Sequence, residues 1–267
     1  MAARLSPRTV IEAFLPFAGS VPLADIYDTA NLAGIADQPI RLAIRRMVSS
    51  GDIEQTGRGR AGSLTLTNNG RRRLERDRES LTLAYAQDAG GVLWDGRWRL
   101  IAVTAPERER AVRDTLRREL YELGAVAIST SLYVTPHDIV AELPQDARRY
   151  LSTASTGDLE VRGIAEPRSI AEALWPSKPT IAAYSPLAEA INRDASATDI
   201  PVVVRMLLLA DALEQAIRED PLLPLELRAV PWPPSEVRAA WADRWGALSK
   251  QAHTSLYQGW WPQAPHS

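Results

Sequence analysis

The stretch from Ile40 to Arg78, IRLAIRRMVSSGDIEQTGRGRAGSLTLTNNGRRRLERDR, decides the fold of the N-terminal part of the chain. It begins with a helical pattern, continues with two short extended runs around a glycine-rich turn, and ends with a second helical pattern. Two further helices are predicted before it, starting near Pro7 and Pro22. Three helices followed by a hairpin is the order of a winged helix-turn-helix.

The third helix, predicted from Asp37 to Gly51, has two different faces at about 100° per residue. Its apolar face consists of Ile40, Ala43, Ile44, Met47 and Val48. Its opposite face consists of Gln38, Arg41, Leu42, Arg45 and Arg46. Arginine pairs with guanine, glutamine with adenine, and an aliphatic side chain contacts the thymine methyl group. The pattern therefore favours a helix that reads the major groove of DNA, and the alternative is a solvated helix face.

Arg58 and Arg60 lie in the turn between the two extended runs, next to Gly57, Gly59 and Gly62. A wing that contacts the DNA backbone or the minor groove needs such a turn, although loop arginines are more often ordinary surface residues. The next helix, predicted from Asn68 to about Ala86, carries five more arginines: Arg71, Arg72, Arg73, Arg76 and Arg78. We interpret this run as mostly structural, with acidic partners on the same helix at Glu75, Asp77 and Glu79.

The charge of the chain is unevenly distributed. The opening stretch holds ten arginines and four acidic residues, whereas the whole 267-residue chain has a net charge of −2. Residues 1–80 carry 12 Arg against 9 Asp+Glu, a balance of +3, and residues 81–267 carry 19 Lys+Arg against 24 Asp+Glu, a balance of −5. An anionic partner responds to the local field, so we expect it at the N-terminal domain.

Composition excludes several classes of protein. The chain has no cysteine, so disulfides, thiolate zinc sites and cysteine nucleophiles are excluded. No apolar run reaches membrane-spanning length, and the N-terminus does not resemble a secretion signal. We therefore expect a cytoplasmic protein without a membrane partner.

The middle of the chain alternates between strand and helix patterns. WDGRWRLIAVTAP predicts a strand, ERERAVRDTLRRELYELG a helix, VAISTSLYVTP one or two strands, residues 137–153 a helix, and residues 158–166 a strand. This order suggests a ferredoxin-like α+β domain. Helices predominate afterwards, and the proline-rich PLLPLELRAVPWPPS is interpreted as an ordered packing loop. The predicted class is α+β with three domains: residues 1–88, 89–175 and 176–267.

Several segments together resemble the PaaX family, the bacterial repressors of phenylacetate catabolism. The resemblance is carried by IRLAIRRMVSSGDI with GRGRAGSLTLTNNGRR, WDGRWRLIAVT, LYELGAVAISTSLYVTP and EDPLLPLELRAVPWP, and it covers nearly the whole chain. It implies a DNA-binding winged helix, a middle domain similar in fold to a CRISPR-associated adaptation nuclease, and a helical C-terminal domain. It also implies a dimer and a phenylacetyl-coenzyme A effector that releases repression.

A nuclease is expected to place an aspartate near the end of the first strand of this middle domain to hold a divalent cation. Here that strand runs into Val103-Thr104-Ala105-Pro106, and Asp95 precedes it. The three histidines, His137, His253 and His266, are scattered without metal-ligand spacing. We therefore predict neither a bound metal nor a cofactor.

The chain has eight tryptophans and only two phenylalanines. Packing between domains is the simpler explanation. The sharper hypothesis is an aromatic acyl pocket that includes Trp98, with Arg97 and Arg99 near the phosphates of coenzyme A.

These observations predict a dimeric DNA-binding transcriptional regulator, a repressor, that reads a pseudo-palindromic operator. Two alternatives come from other classes. One is a metal-dependent, nuclease-like enzyme built on the ferredoxin-like domain. The other is an interaction adaptor that uses the winged helix as a dimer surface.

Overall fold

The computed structural model of the protein describes residues 5–143, 145–197, 199–252 and 256–257. It has the mixed α+β architecture that the sequence predicts. The chain forms two compact units. The first combines Met1–Tyr85, Ala183–Glu219 and Pro233–Ser267. The second combines Ala86–Ala182 with Asp220–Trp232. Each of the described helices is too short or too polar to cross a lipid bilayer.

The first unit begins with a winged helix-turn-helix. Its helices are α1 (Pro7–Phe14), α2 (Leu23–Leu32), α3 (Asp37–Ser49) and α4 (Asn68–Asp88). Its strands are β1 (Ser20–Pro22), β2 (Ile53–Thr56) and β3 (Ser63–Leu66). They form an antiparallel sheet in the order β1-β3-β2, with Thr56 opposite Ser63 across the hairpin. The sequence predicted β2 and β3 but missed β1, which is three residues long and contains a proline.

Local sequence signals explain where these helices begin. The Ser6 side chain accepts a hydrogen bond from the Arg8 N–H, and Pro7 occupies the first turn of α1. At α4 the Thr67 hydroxyl accepts from the Gly70 N–H at 3.0 Å. A Cβ at Gly70 would overlap the carbonyl oxygen of Asp52, so this helix packs against the end of α3 only because residue 70 is a glycine.

Three C-terminal helices complete the first unit: α8 (Ser185–Ser196), α9 (Val202–Arg218) and α10 (Pro233–Ser249). One hydrophobic cluster includes Ile11 and Ile40 from the winged helix together with Leu207 and Trp241. Between α1 and α9, the Thr9 hydroxyl donates to Asp211 at 2.6 Å.

The structure thus has two units where the sequence analysis placed three domains. The C-terminal helices share a core with the winged helix because α9 is buried on several sides, and the sequence does not reveal which faces meet. Independent folding of residues 1–88 stays a prediction.

The second unit is built on a four-stranded antiparallel sheet. Its strands are β4 (Trp98–Val103), β5 (Val126–Ala127), β6 (Leu132–Thr135) and β7 (Leu151–Thr156), in the order β5-β6-β4-β7. The fourth strand lies beside the first, and the third separates the first from the second, which is the ferredoxin-like order. The helices of this segment are α5 (Arg110–Glu122), α6 (Pro167–Leu174) and α7 (Ser177–Ala183).

Two predicted elements of this unit are wrong. The helix predicted over residues 137–153 is replaced by 3₁₀ turns at Val140–Glu142 and Arg148–Tyr150 and by the start of β7. Leu143, which precedes a proline, has an extended backbone with ψ of 148°, because proline disfavours the helical conformation of the residue before it.

The strand predicted over residues 158–166 is also absent. That segment forms a turn closed by a single bridge between Val161 and Ile164. Arg162 and Gly163 have φ angles of 54° and 82°, and such left-handed backbone ends a strand.

The two faces of the second sheet pack against different layers. Ile101 and Val103 contact α5 through Leu116 and Leu120. The opposite face packs against α6 and the segment 220–232, with the buried side chains Trp98, Val134, Trp175, Leu223 and Leu227. This confirms that the proline-rich segment is an ordered packing loop. Buried Arg228 holds it by donating to Gln87 at 2.6 Å and to Asp88 at 3.0 Å.

Candidate nucleic-acid interface

Helix α3 has one buried and one exposed face. Ile40, Ile44 and Met47 are buried against the core of the first unit. All five residues predicted to read DNA are exposed: Gln38, Arg41, Leu42, Arg45 and Arg46. Val48 was predicted on the apolar face but is 42% exposed, because it lies at the edge of that face, whereas Met47 of the same turn is buried. Leu32, an apolar residue of α2, is likewise 60% exposed.

The exposed arginines of α3 differ in whether they form an ion pair. Arg41 lies 3.7 Å from Asp37, one turn earlier, and both side chains are solvated. Arg45 and Arg46 form no ion pair with the described part of the chain. Leu42 is an apolar residue on the same exposed surface. The outer face of α3 thus offers two unengaged guanidinium groups, one amide and one aliphatic side chain.

The wing is the turn between β2 and β3. Gly57 and Gly59 adopt φ angles of 74° and 57°, which side chains other than glycine rarely adopt. Arg58 is exposed between them. The wing is anchored to α2 because the Leu23 N–H donates to the Gly62 carbonyl at 2.9 Å.

Arg60 is also on the wing, but its guanidinium group is engaged. It donates to the Asp28 carboxylate of α2 and lies 5.8 Å from the centre of the Tyr27 ring. The hydrogen bond to Asp28 raises the pKa of Arg60 above its ordinary value. Arg58 and Arg60 therefore share a turn without sharing an environment.

Asp52 connects the end of α3 with α1 and α4, and sequence reasoning missed this role. Its buried carboxylate accepts from Arg8 at 3.1 Å, from the Ser50 hydroxyl at 3.0 Å and from Asn69 at 3.3 Å. Its position after Gly51, as the first acid in a basic stretch, is the signal that could have revealed it.

Two of the five arginines of α4, Arg71 and Arg73, have partners outside this helix, and the partners of Arg73 differ from those predicted. Arg73 pairs with Glu12 and, at 3.2 Å, with Asp77. Of the three acids predicted as partners, only Asp77 forms an ion pair with an arginine among the described residues. Arg71 donates to the Phe17 carbonyl and lies over the Phe17 ring.

The structure separates the residues predicted to hold an acyl-coenzyme A. Trp98 is fully buried, stacked on Trp175 at 6.2 Å and in edge contact with Trp94. Arg97 donates to the Ser155 hydroxyl at 2.8 Å. Because side chains alternate along a strand, Arg99 lies on the opposite face of β4 from Trp98.

Other predicted features of the middle domain and the C-terminal helices can be located. Asp95 pairs with Arg99 at 2.5 Å, and this hydrogen bond lowers the pKa of the Asp95 carboxyl. Burial lowers the pKa of His137. Trp241 and Trp245 stack at 5.1 Å, as their spacing on one helix face predicts.

Among the described residues, no group of three histidine, aspartate or glutamate side chains has an arrangement that could hold a metal ion. His253, His266, Trp260 and Trp261 lie outside the described residues.

Comparisons with known proteins agree with this architecture. The family described as the PaaX protein central Cas2-like domain matches residues 92–167. The structure of the uncharacterized protein Rv0674 from Mycobacterium tuberculosis is similar, with a TM-score of 0.59 and 21% identity, over 93% of this chain and 97% of that one. At this identity the likeness shows a shared fold. No curated protein matches the chain. Residues 92–167 thus match the central Cas2-like domain of PaaX proteins.

Proposed function

We propose that the protein is a DNA-binding transcriptional regulator and acts as a repressor. The match of residues 92–167 to the central domain of PaaX proteins supports the general role. The observation that carries the DNA-binding proposal is the outer face of α3, where Arg45 and Arg46 are exposed and form no ion pair with the described residues. Ile40, Ile44 and Met47 fix the opposite face in the core, so this helix presents its cationic side rigidly.

The composition of the exposed face suits the major groove. Arg45 and Arg46 can each donate two hydrogen bonds to guanine, Gln38 can exchange two with adenine, and Leu42 can contact a thymine methyl group. Arg58 on the wing is placed to contact a phosphate or the minor groove beside the recognition helix. Arg41 and Arg60 would also contact DNA once DNA phosphates displace their partners Asp37 and Asp28.

The proposal extends to the form of the operator and to the signal. A dimer would present two recognition helices to a pseudo-palindromic site, since protein and operator share a two-fold axis. An acyl-coenzyme A such as phenylacetyl-coenzyme A would relieve repression of a catabolic operon. Trp94 and Trp175 pack directly against Trp98, so the effector would bind outside this tryptophan cluster.

Salt-dependent DNA binding tests the central proposal. Fluorescence anisotropy would follow the protein on a labelled duplex from upstream of its own gene and on a random duplex of equal length. Phosphate contacts release counterions, so log K should fall linearly with log salt concentration between about 50 and 200 mM. The upstream duplex should bind more tightly at every salt concentration. Absence of salt-dependent binding to either duplex would overturn the proposal and favour the interaction adaptor.

The effector part is tested with the same complex. Phenylacetyl-coenzyme A should release the protein from the upstream duplex, whereas coenzyme A alone should not. Sedimentation of the free protein and of the complex would measure the dimer. A nuclease-like enzyme would instead cut the duplex when Mg²⁺ is added, but the end of β4 carries no carboxylate between Val103 and Pro106 to hold the ion.

A further inference from the structure

The Asp28 carboxylate pairs with the Arg60 guanidinium group, which would otherwise be available to a nucleic acid. The two side chains are 48% and 63% exposed, so the pair lies at the surface of the wing and α2. The guanidinium group also lies over the ring of buried Tyr27. The partner of Arg60 is thus an internal carboxylate, and its neighbour Arg58 forms no ion pair with the described residues.

The chemistry of this pair is that of a phosphate contact. A guanidinium group binds carboxylate and phosphate oxygens with the same planar donors. An exposed ion pair contributes little to stability, so exchange of one anion for another costs little. The contact with the Tyr27 ring does not need Asp28 and can persist after the exchange.

The surroundings connect this pair to α3. Asp37, the partner of Arg41, also acts electrostatically on Arg60, and both arginines act on Tyr27. Both arginine–aspartate pairs therefore lie within electrostatic range of Tyr27. A duplex lying on α3 would bring phosphates near these pairs.

We propose that Asp28 is an internal competitor of DNA phosphate for Arg60. In the free protein the pair holds the tip of the wing on α2. When a duplex binds, a phosphate oxygen replaces the carboxylate. This inference rests on the proposed DNA-binding function and adds a residue that tunes affinity without contacting a base.

The test is a comparison of two single-charge substitutions on α2. Asp28→Asn removes the carboxylate that pairs with Arg60. Asp25→Asn removes another exposed carboxylate from the same helix, and Asp25 forms no ion pair with the described residues. Both variants add one unit of positive charge, so their difference isolates the pair from general attraction to DNA. Affinity for a random duplex and its salt dependence are measured for both.

We expect Asp28→Asn to bind the duplex about 1.5- to five-fold more tightly than Asp25→Asn, because an exposed carboxylate competes only weakly with phosphate. The advantage should disappear in an Arg60→Gln background, where both substitutions should have equal effects. Arg60→Gln alone should reduce the slope of log K against log salt by about 1.

Three results would each contradict competition between Asp28 and DNA phosphate. They are equal affinities of the two aspartate variants, weaker binding by Asp28→Asn, and an advantage of Asp28→Asn that persists without Arg60. Wild-type binding to the same duplex reports on the proposed function separately. Salt-dependent wild-type binding with equal aspartate variants rejects only the role of Asp28. Absence of wild-type binding rejects both proposals.

Discussion

The arginines of α3 and those of α4 come from one basic stretch, but the fold gives them opposite environments. Arg45 and Arg46 extend from α3 without an ion pair to the described residues. Arg73 of α4 is mostly buried and contacts the carboxylates of Glu12 and Asp52. Helix α3 carries three arginines in 13 residues and α4 five in 21, so the difference comes from what lies opposite each residue.

This difference shows why a count of arginines does not locate a DNA-binding surface. Glu12 and Asp52 are buried acids from distant parts of the chain, and each needs a cation because an unpaired buried charge is costly. Arg8 and Arg73 fulfil that need. Only arginines outside this cluster remain for an external anion.

Of the substitutions that test this difference, removal of the Arg73 side chain should have the largest effect, a loss of stability. Arg73→Ala leaves Glu12 with Arg8 alone, so the midpoint of urea denaturation should fall by the equivalent of about 2–4 kcal/mol. Arg72→Ala is the matched control, because Arg72 is exposed and only bonds the Asn68 carbonyl at 3.4 Å. Its expected change is below about 0.5 kcal/mol. Equal stabilities of the two variants would contradict a structural role for Arg73.

Replacement of Arg45 should show the reverse pattern, with stability kept and DNA binding lost. Arg45→Ala should weaken operator binding by about 1–3 kcal/mol if the guanidinium pairs with a base. An equal loss on random DNA would make it a phosphate contact instead. Arg78→Ala, which changes an exposed arginine of α4, should leave both affinities nearly unchanged. No change in binding by Arg45→Ala would mean that α3 is not the recognition helix.

The buried carboxyl group of Glu214, which is influenced by Glu12, predicts how stability depends on pH. Burial, followed by the charge of Glu12, raises the pKa of Glu214 on α9 from 4.5 to about 8. Between these values the folded protein keeps a proton that the unfolded chain has released, so this group makes stability fall as pH rises through that window.

Glu214→Gln keeps the group neutral throughout. The variant should match the wild type near pH 5 and exceed it by roughly 1–2 kcal/mol at pH 8.5. Thermal melts at both pH values measure the difference, and the Tyr257 hydroxyl keeps an acceptor in the glutamine carbonyl. A constant difference between the two proteins across this range would mean that Glu214 is ionised in the fold.

The smallest effect is expected at the wing. Arg58→Ala should weaken operator and random duplexes equally, by less than about 1 kcal/mol, and reduce the salt slope by about 1. Anisotropy titrations at several salt concentrations provide both quantities. A larger loss on the operator than on random DNA would instead indicate minor-groove readout by Arg58.

Much of the fold could be predicted because its signals are local. The apolar period identified α3, and the glycines at 59 and 62 identified the hairpin. The errors at residues 137–153 and 158–166 arose where a proline or left-handed backbone interrupts a pattern that otherwise suits another element. The exposure of Leu32 and Val48 shows the other limit, since an apolar residue is buried only if the core reaches it.

The sequence by itself determined the winged-helix order and the two faces of α3, because periodicity, caps and turn residues act over a few positions. It suggested the ferredoxin-like unit, but the last strand of that unit, β7, begins where the sequence predicted a helix. Only the tertiary structure decided which arginines are engaged. Arg8 meets Asp52 across 44 residues, Arg73 meets Glu12 across 61, and Arg60 meets Asp28 across 32. The partners of Asp52 and Glu12 are selected by packing, since a carboxylate buried by the core takes whichever cation the fold brings within reach.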